Sequence, residues 1–181
     1  MKDYILTYTK TKFYPIEPNK EDIYVEDIAH SLSQMARANG HFKHFYSVAQ
    51  HCVNCCKEAK ARGYSERVQL GCLFHDASEA YLADITRPVK KYLTQYLTFE
   101  DRLQKVVYDK YGIGDVTEEE LGMIKEVDDA MLFYEFRDLM GVDLFENPPH
   151  IAMTHDFNMR AFESVEKEFI NLVQALSKNK V

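Results

Sequence analysis

Four residues in this sequence have side chains whose types and spacing fit metal chemistry: His51, the dipeptide His75-Asp76, and Asp128. His51 falls on an inward helical face, three residues after Val48 and four before Cys55. Asp128 interrupts an apolar stripe of Leu121, Ile124, Met131 and Leu132. A lone buried carboxylate is costly unless it is paired or bound to a cation. In Phe74-His75-Asp76-Ala77-Ser78-Glu79, His75 and Glu79 stand at i, i+4, and Asp76 and Glu79 at i, i+3, so all three can converge on one site. Each residue alone has an ordinary reading: an inward His can be a hydrogen-bonded core residue, and Asp128 can pair with Arg or Lys. Together, on three predicted helices, they make a donor set suited to a borderline divalent cation such as Mn, Fe, Co or Zn. Two His and two Asp leave coordination positions open for water and a phosphate oxygen.

The elements that must position these residues read as helices. Asp27 is expected to cap a first helix through Ile28, Leu32, Met35 and Ala36, ended by Gly40. Ser47 with Gln50 forms a capping box for a second, which stops at Gly63. Ser65 opens a third, running past Cys72 and Leu73 to about Ala83, before Pro88 breaks the chain. Thr98 with Asp101 resembles a capping box for a fourth, with Leu103, Val106 and Val107 inward and Gly112 at its end. Thr117 and Glu120 cap a fifth, reaching about Met140 before Gly141. A last helix carries Phe162, Val165, Phe169, Leu172, Val173 and Leu176 on one stripe. Ahead of them, residues 4–16 are rich in Tyr, Thr, Ile and Phe and can form a small β-hairpin around residues 10–12. Six helices of this length imply an all-α, compact helical bundle, expected as one domain over residues 1–181.

The net charge of −7, from 29 acidic and 22 basic residues with no Lys/Arg block, argues against a nucleic acid polymer as partner. A small anion is still compatible, because a local metal and a few cations outweigh net charge. The opening residues 1–12 are polar, without the apolar core of a signal peptide, and no apolar run approaches a membrane span. Cys52, Cys55, Cys56 and Cys72 lie in helical patterns rather than at loop staples, so a reduced, cytoplasmic protein is expected. Cys52 and Cys56 are one turn apart and no second Cys pair follows. They read as small buried hydrophobes and not as a zinc site.

The order His51, His75-Asp76, Asp128 resembles the H…HD…D signature of the HD superfamily of phosphohydrolases. The run Tyr46-Ser47-Val48-Ala49-Gln50-His51, the motif His75-Asp76-Ala77-Ser78-Glu79, and Asp84-Ile85-Thr86-Arg87-Pro88-Val89-Lys90 are similar to the bacterial 5′-deoxynucleotidases of that superfamily and to related phage enzymes. The resemblance covers residues 27–135. It implies an HD-domain bundle in which His51, His75, Asp76 and Asp128 hold a divalent metal ion (Co, Mn, Zn or Fe). It also implies that Glu79 positions or deprotonates the attacking water and that Asp84 assists proton transfer. Asp84 has an equally simple reading as a cap or loop residue. Arg37 matches a nucleotide-contacting Arg by approximate spacing; the Trp those enzymes carry beside it has no counterpart, since this chain has no Trp. Lys90 is a phosphate-binding candidate or a surface residue. His41, with His30 and Lys43, can line the mouth of the site.

The resemblance implies a homo-oligomer and a small-molecule nucleotide as substrate: a deoxynucleoside 5′-monophosphate giving nucleoside and phosphate. The alternatives are a dATP-type triphosphohydrolase and a non-catalytic nucleotide-sensing module. Relatives with paired metals insert further His residues after the HD dipeptide; residues 77–127 contain none, so one metal is expected.

Overall fold

A helix that carries polar residues on two faces needs partners on both, and the second helix organises the fold for that reason. The computed structural model of the chain describes residues 3–177. Strands β1 (Ile5–Leu6) and β2 (Lys12–Phe13) pair antiparallel, Ile5 opposite Phe13, across a turn in which Lys10 takes a φ of 67°. Six longer helices follow: α1 (Val25–Gln34), α2 (Val48–Ala61), α3 (Glu66–Phe74), α6 (Thr94–Lys110), α7 (Glu118–Met140) and α8 (Phe162–Ser177). Two single-turn helices, α4 (Glu79–Leu82) and α5 (Arg87–Lys90), lie between α3 and α6. The fold is mostly α with a short N-terminal hairpin, as the sequence patterns predict. Among the described residues, no helix is long and apolar enough to cross a membrane.

α2 packs against α1, α3, α7 and α8. On one side Val48, Cys52 and Val53 join Ile28, Leu32, Leu73, Phe74 and Phe169 in the larger core. On another, Cys55 and Ala59 meet Val68, Cys72, Ile124, Val127 and Met131 between α3 and α7. Gly71 lets those two helices approach closely, because a Cβ there would collide with the Ile124 side chain. A third row on α2, Gln50, Asn54 and Glu58 at i, i+4 and i+8, is buried and polar. Gln50 Nε2 donates to the carbonyls of Asp156 and Asn158 at 3.2 and 3.0 Å, and Asn54 Nδ2 donates to Asp156 O and Tyr46 Oη. Glu58 accepts from Arg62 Nε (2.8 Å) and Ala152 N (2.7 Å), and its other oxygen faces His155 Nε2 at 2.9 Å. This row pins the irregular stretch between α7 and α8 onto the bundle.

Several element boundaries differ from the sequence expectation. Ser47 Oγ accepts from Gln50 N, but the Gln50 side chain serves residues 156 and 158 and does not turn back to complete a capping box. Asp27 does not cap α1. It lies in the first turn and accepts from Thr9 N and Thr9 Oγ1 at 2.7 and 2.9 Å, tying down the hairpin. α1 stops at Gln34, not Gly40, and residues 37–40 form a separate 3-10 turn with Ala38 and Asn39 in the left-handed region. The third helix ends at Phe74, where turns tightened to i→i+3 spacing carry the chain through His75–Ser78 into α4. Pro88 does not break the chain; it sits in the first turn of α5, where its missing N–H costs nothing. α6 begins at Thr94, and Thr98 lies inside it, its hydroxyl donating to Thr94 O. The Thr117–Glu120 capping box and the left-handed Gly141 at the end of α7 are both present.

Candidate metal centre

His51 comes from α2, His75 from the C-cap of α3, Asp76 from the turn after it, and Asp128 from the middle of α7. The fold brings all four together. The two Nε2 atoms are 3.1 Å apart. Asp128 Oδ1 lies 3.2 Å from His51 Nε2 and 3.7 Å from His75 Nε2. Asp76 Oδ2 lies 3.3 Å from His75 Nε2 and 3.8 Å from His51 Nε2. Donors held about 2.0–2.3 Å from one shared centre stand roughly 3–4 Å from each other, so these separations fit a common cation.

The ring orientations add to this. His75 Nδ1 is 2.8 Å from Cys72 O, and a carbonyl only accepts, so Nδ1 carries the proton. His51 Nδ1 is 2.6 Å from Glu135 Oε1. Both Nε2 atoms therefore face the same space, where each holds either a proton shared with the carboxylates or a cation. Thiols also border that space. Cys55 Sγ is 3.6 Å from His51 Nε2, and the groups His51, Cys55, His75 and Cys52, His75, Asp76 have donors within 4.8 Å of one another. All four cysteines are buried, as expected. Burial pushes the Cys52 thiol up to about 11 and Cys55 well above its ordinary value, so imidazole and carboxylate are the better donors.

Arg37 is 11% exposed and already serves these carboxylates. Its Nε donates to Glu135 Oε2 at 3.0 Å, Nη1 to Asp76 Oδ2 at 3.3 Å, and Nη2 lies 3.6 Å from Asp128 Oδ1. Burial opposes its charge, but Glu135, Asp76 and Asp128 together raise its pKa. Burial likewise opposes ionisation of Asp128, yet its bonds to His51 and His75 hold it well below the usual carboxylate range. Glu135 is held below that range by His51 and Arg37 despite complete burial. His75 is raised, the pull of Asp76 and Asp128 outweighing burial.

The centre opens on a cavity of about 320 Å³ lined on its far side by Glu79, Asp84, Arg87, Lys90 and Glu100. Lys90 Nζ donates to Glu79 Oε1 at 3.1 Å and to Glu100 Oε1 at 2.8 Å. Burial, with Asp76 and Asp84 nearby, pushes the Glu79 carboxyl up to about 9, and burial also raises Asp84. Ala83, at φ 101°, turns the chain so that Asp84 reaches this wall.

His41 does not line the cavity. The turn of residues 37–40 sends Arg37 inward and leaves His41 exposed, outside the cavity lining. Lys43 pairs with Asp138, and His30 is stacked on Tyr8 and bonded to Glu166, both away from the centre. Two residues escaped sequence reasoning. Arg87 Nη2 donates to Asp128 Oδ2 at 2.6 Å, and Glu135 supports both His51 and Arg37. Glu135 had a signal: it lies seven residues after Asp128, on the same face of α7 as Met131 and Leu139.

The fold and site define a helical protein with a His/Asp/Cys cluster at metal-binding distance beside a charged cavity. The chain is 40% identical over 140 residues to the uncharacterized protein YfdR of Escherichia coli K12, a match covering 77% of this chain and 74% of that protein. It is 39% identical over 104 residues to an uncharacterized protein of Rhodobacter capsulatus, covering 54% of this chain and 53% of the other. No family model matches the chain. It belongs to the family of the Escherichia coli protein YfdR.

Proposed function

We propose that this protein is a metal-dependent phosphohydrolase of the HD type that hydrolyses deoxynucleoside 5′-monophosphates to nucleoside and phosphate. The observation that carries the reading is the convergence of both Asp76 and Asp128 on the paired His51 and His75 Nε2 atoms, at 3.1–3.8 Å, beside the charged cavity. A divalent cation held there would supply Lewis acidity and a lowered water pKa. Glu79, three residues after Asp76 and lining the same cavity, takes the proton of the attacking water. Burial, then the charges of Asp76 and Asp84, raises the Glu79 carboxyl, and a cation held by Asp76 would offset part of that rise. Asp84, whose pKa is raised by burial, is suited to give a proton to the departing 5′ oxygen. Lys90, Arg87 and Arg37 receive the phosphate oxygens.

Charge favours a monophosphate over a triphosphate. Six carboxylates line the cavity (Asp76, Glu79, Asp84, Glu100, Asp101, Asp128) against the three cations Arg37, Arg87 and Lys90. With one divalent ion added, the formal charge of the lining is still not positive, which disfavours the longer polyanion.

The test is a panel of deoxynucleoside mono- and triphosphates with Mn, Co or Zn, scored for phosphate and for triphosphate. Phosphate released from monophosphates is the expected result. Triphosphate release would transfer the reading to the triphosphohydrolase class, and no turnover with any metal would overturn hydrolysis.

A further inference from the structure

Glu135 has no exposed surface and stands on the inward face of α7, two helical turns after Asp128. Burying a carboxylate there is costly unless both oxygens are used. One oxygen lies 2.6 Å from His51 Nδ1 and the other 3.0 Å from Arg37 Nε. An ionised carboxylate only accepts, so it requires the proton on Nδ1 and leaves Nε2 free to ligate. Its hold on Nε also fixes the guanidinium plane, directing Nη1 to Asp76 and Nη2 toward Asp128. A single helix thus supplies a candidate ligand and the support of another.

From this geometry we infer that Glu135 is a positioning residue, setting His51 as a metal ligand while drawing part of the Arg37 charge away from Asp76 and Asp128. The inference rests on the metal-centre reading above and adds a residue to it. Without Glu135, the His51 ring loses its fixed tautomer. Arg37 then has no partner other than the carboxylates the metal needs, and competes for them.

The test titrates metal-free protein with Co²⁺ alone, by calorimetry, in wild type, Glu135→Gln and Arg37→Leu. Glu135→Gln should bind Co²⁺ about 10–100-fold more weakly, the range seen when a ligand's hydrogen-bonded support is removed. Arg37→Leu should bind as tightly as wild type or more tightly, because a competing cation has gone. Long-range ¹⁵N–¹H spectra of the imidazoles supply a readout that general loosening would not move. Wild-type His51 should show only the Nδ1-protonated tautomer. Glu135→Gln should show both, since an amide can donate as well as accept. If Glu135→Gln does not fold, Glu135→Asp replaces it, keeping the charge but falling one methylene short of reaching both partners. A variant at Glu135 that binds Co²⁺ within about twofold of wild type, with an unchanged tautomer, overturns the role of Glu135 and leaves the metal centre standing. Wild-type protein that takes up no Co²⁺ overturns the metal centre and this inference with it.

Discussion

Lys90 Nζ lies 3.1 Å from Glu79 Oε1, while the other oxygen of Glu79 is buried without a hydrogen-bond partner. Such a carboxylate is held at a cost, and Glu79→Gln should stabilise the metal-free protein by roughly 1–3 kcal/mol at neutral pH. The sign follows from the raised carboxyl: with a folded-state value of about 9, Glu79 contributes stability below the ordinary Glu range and loses it as pH rises toward 9. The gap between variant and wild type should therefore widen from about pH 5 to 9 in urea unfolding. The same variant should lose turnover while keeping its metal. Loss of the metal would make Glu79 a ligand instead.

Metal content separates ligands from their surroundings. Purified protein should carry close to one divalent ion per chain after mild dialysis. His75→Ala and Asp128→Ala should lose it. Metal at 100 times its dissociation constant should raise stability by about 2.7 kcal/mol, and chelation should reverse this. A reproducible stoichiometry of two, by elemental analysis, would reopen phosphodiester chemistry.

Glu58 tests the anchoring of the stretch before α8. It is fully buried and shared by Arg62, His155 and Ala152 N. Glu58→Ala should cost about 3 kcal/mol by leaving Arg62 and His155 without their buried partner. Activity per folded molecule should stay near wild type, since none of these residues lines the cavity.

Gly71 tests the spacing of α3 and α7. Gly71→Val should displace the Ile124 side chain from between these helices and cost about 1–3 kcal/mol. Because α3 leads into His75 and α7 carries Asp128, Co²⁺ affinity should fall with it. Unchanged affinity would show that the site tolerates displacement of α3.

Local signals were legible where a single residue decides the outcome. Ser47 and Ser65 each accept from the backbone N–H three residues on, and Thr117 with Glu120 caps α7, because these contacts depend only on nearby sequence. The inward placement of His51 and Asp128 was legible from helical periodicity. What sequence could not give was competition for side chains from distant segments. Asp27 could have capped α1, but Thr9 of the hairpin recruits it. Gln50 could have completed a capping box, but residues 156 and 158 claim it. The stop at Phe74 was hidden because Asp76–Glu79 keeps helical spacing while its bonds tighten. His41 follows a left-handed turn that Asn39-Gly40 favours but that begins at Ala38, a residue that gives no sign of it.

The three rows of α2 also constrain how this chain can change length. One residue inserted between His51 and Asn54 would rotate everything beyond it by about 100°. Asn54 and Glu58 would then swing off the segment they grip while His51 stayed in place. No compensating substitution on one face could restore the other two. Residues 142–148 are all exposed, and additions there need disturb no buried row. Insertions and deletions among relatives are accordingly expected to collect at that bulge and to spare α2, where the phase of the helix ties the candidate metal centre to the anchoring row beside it.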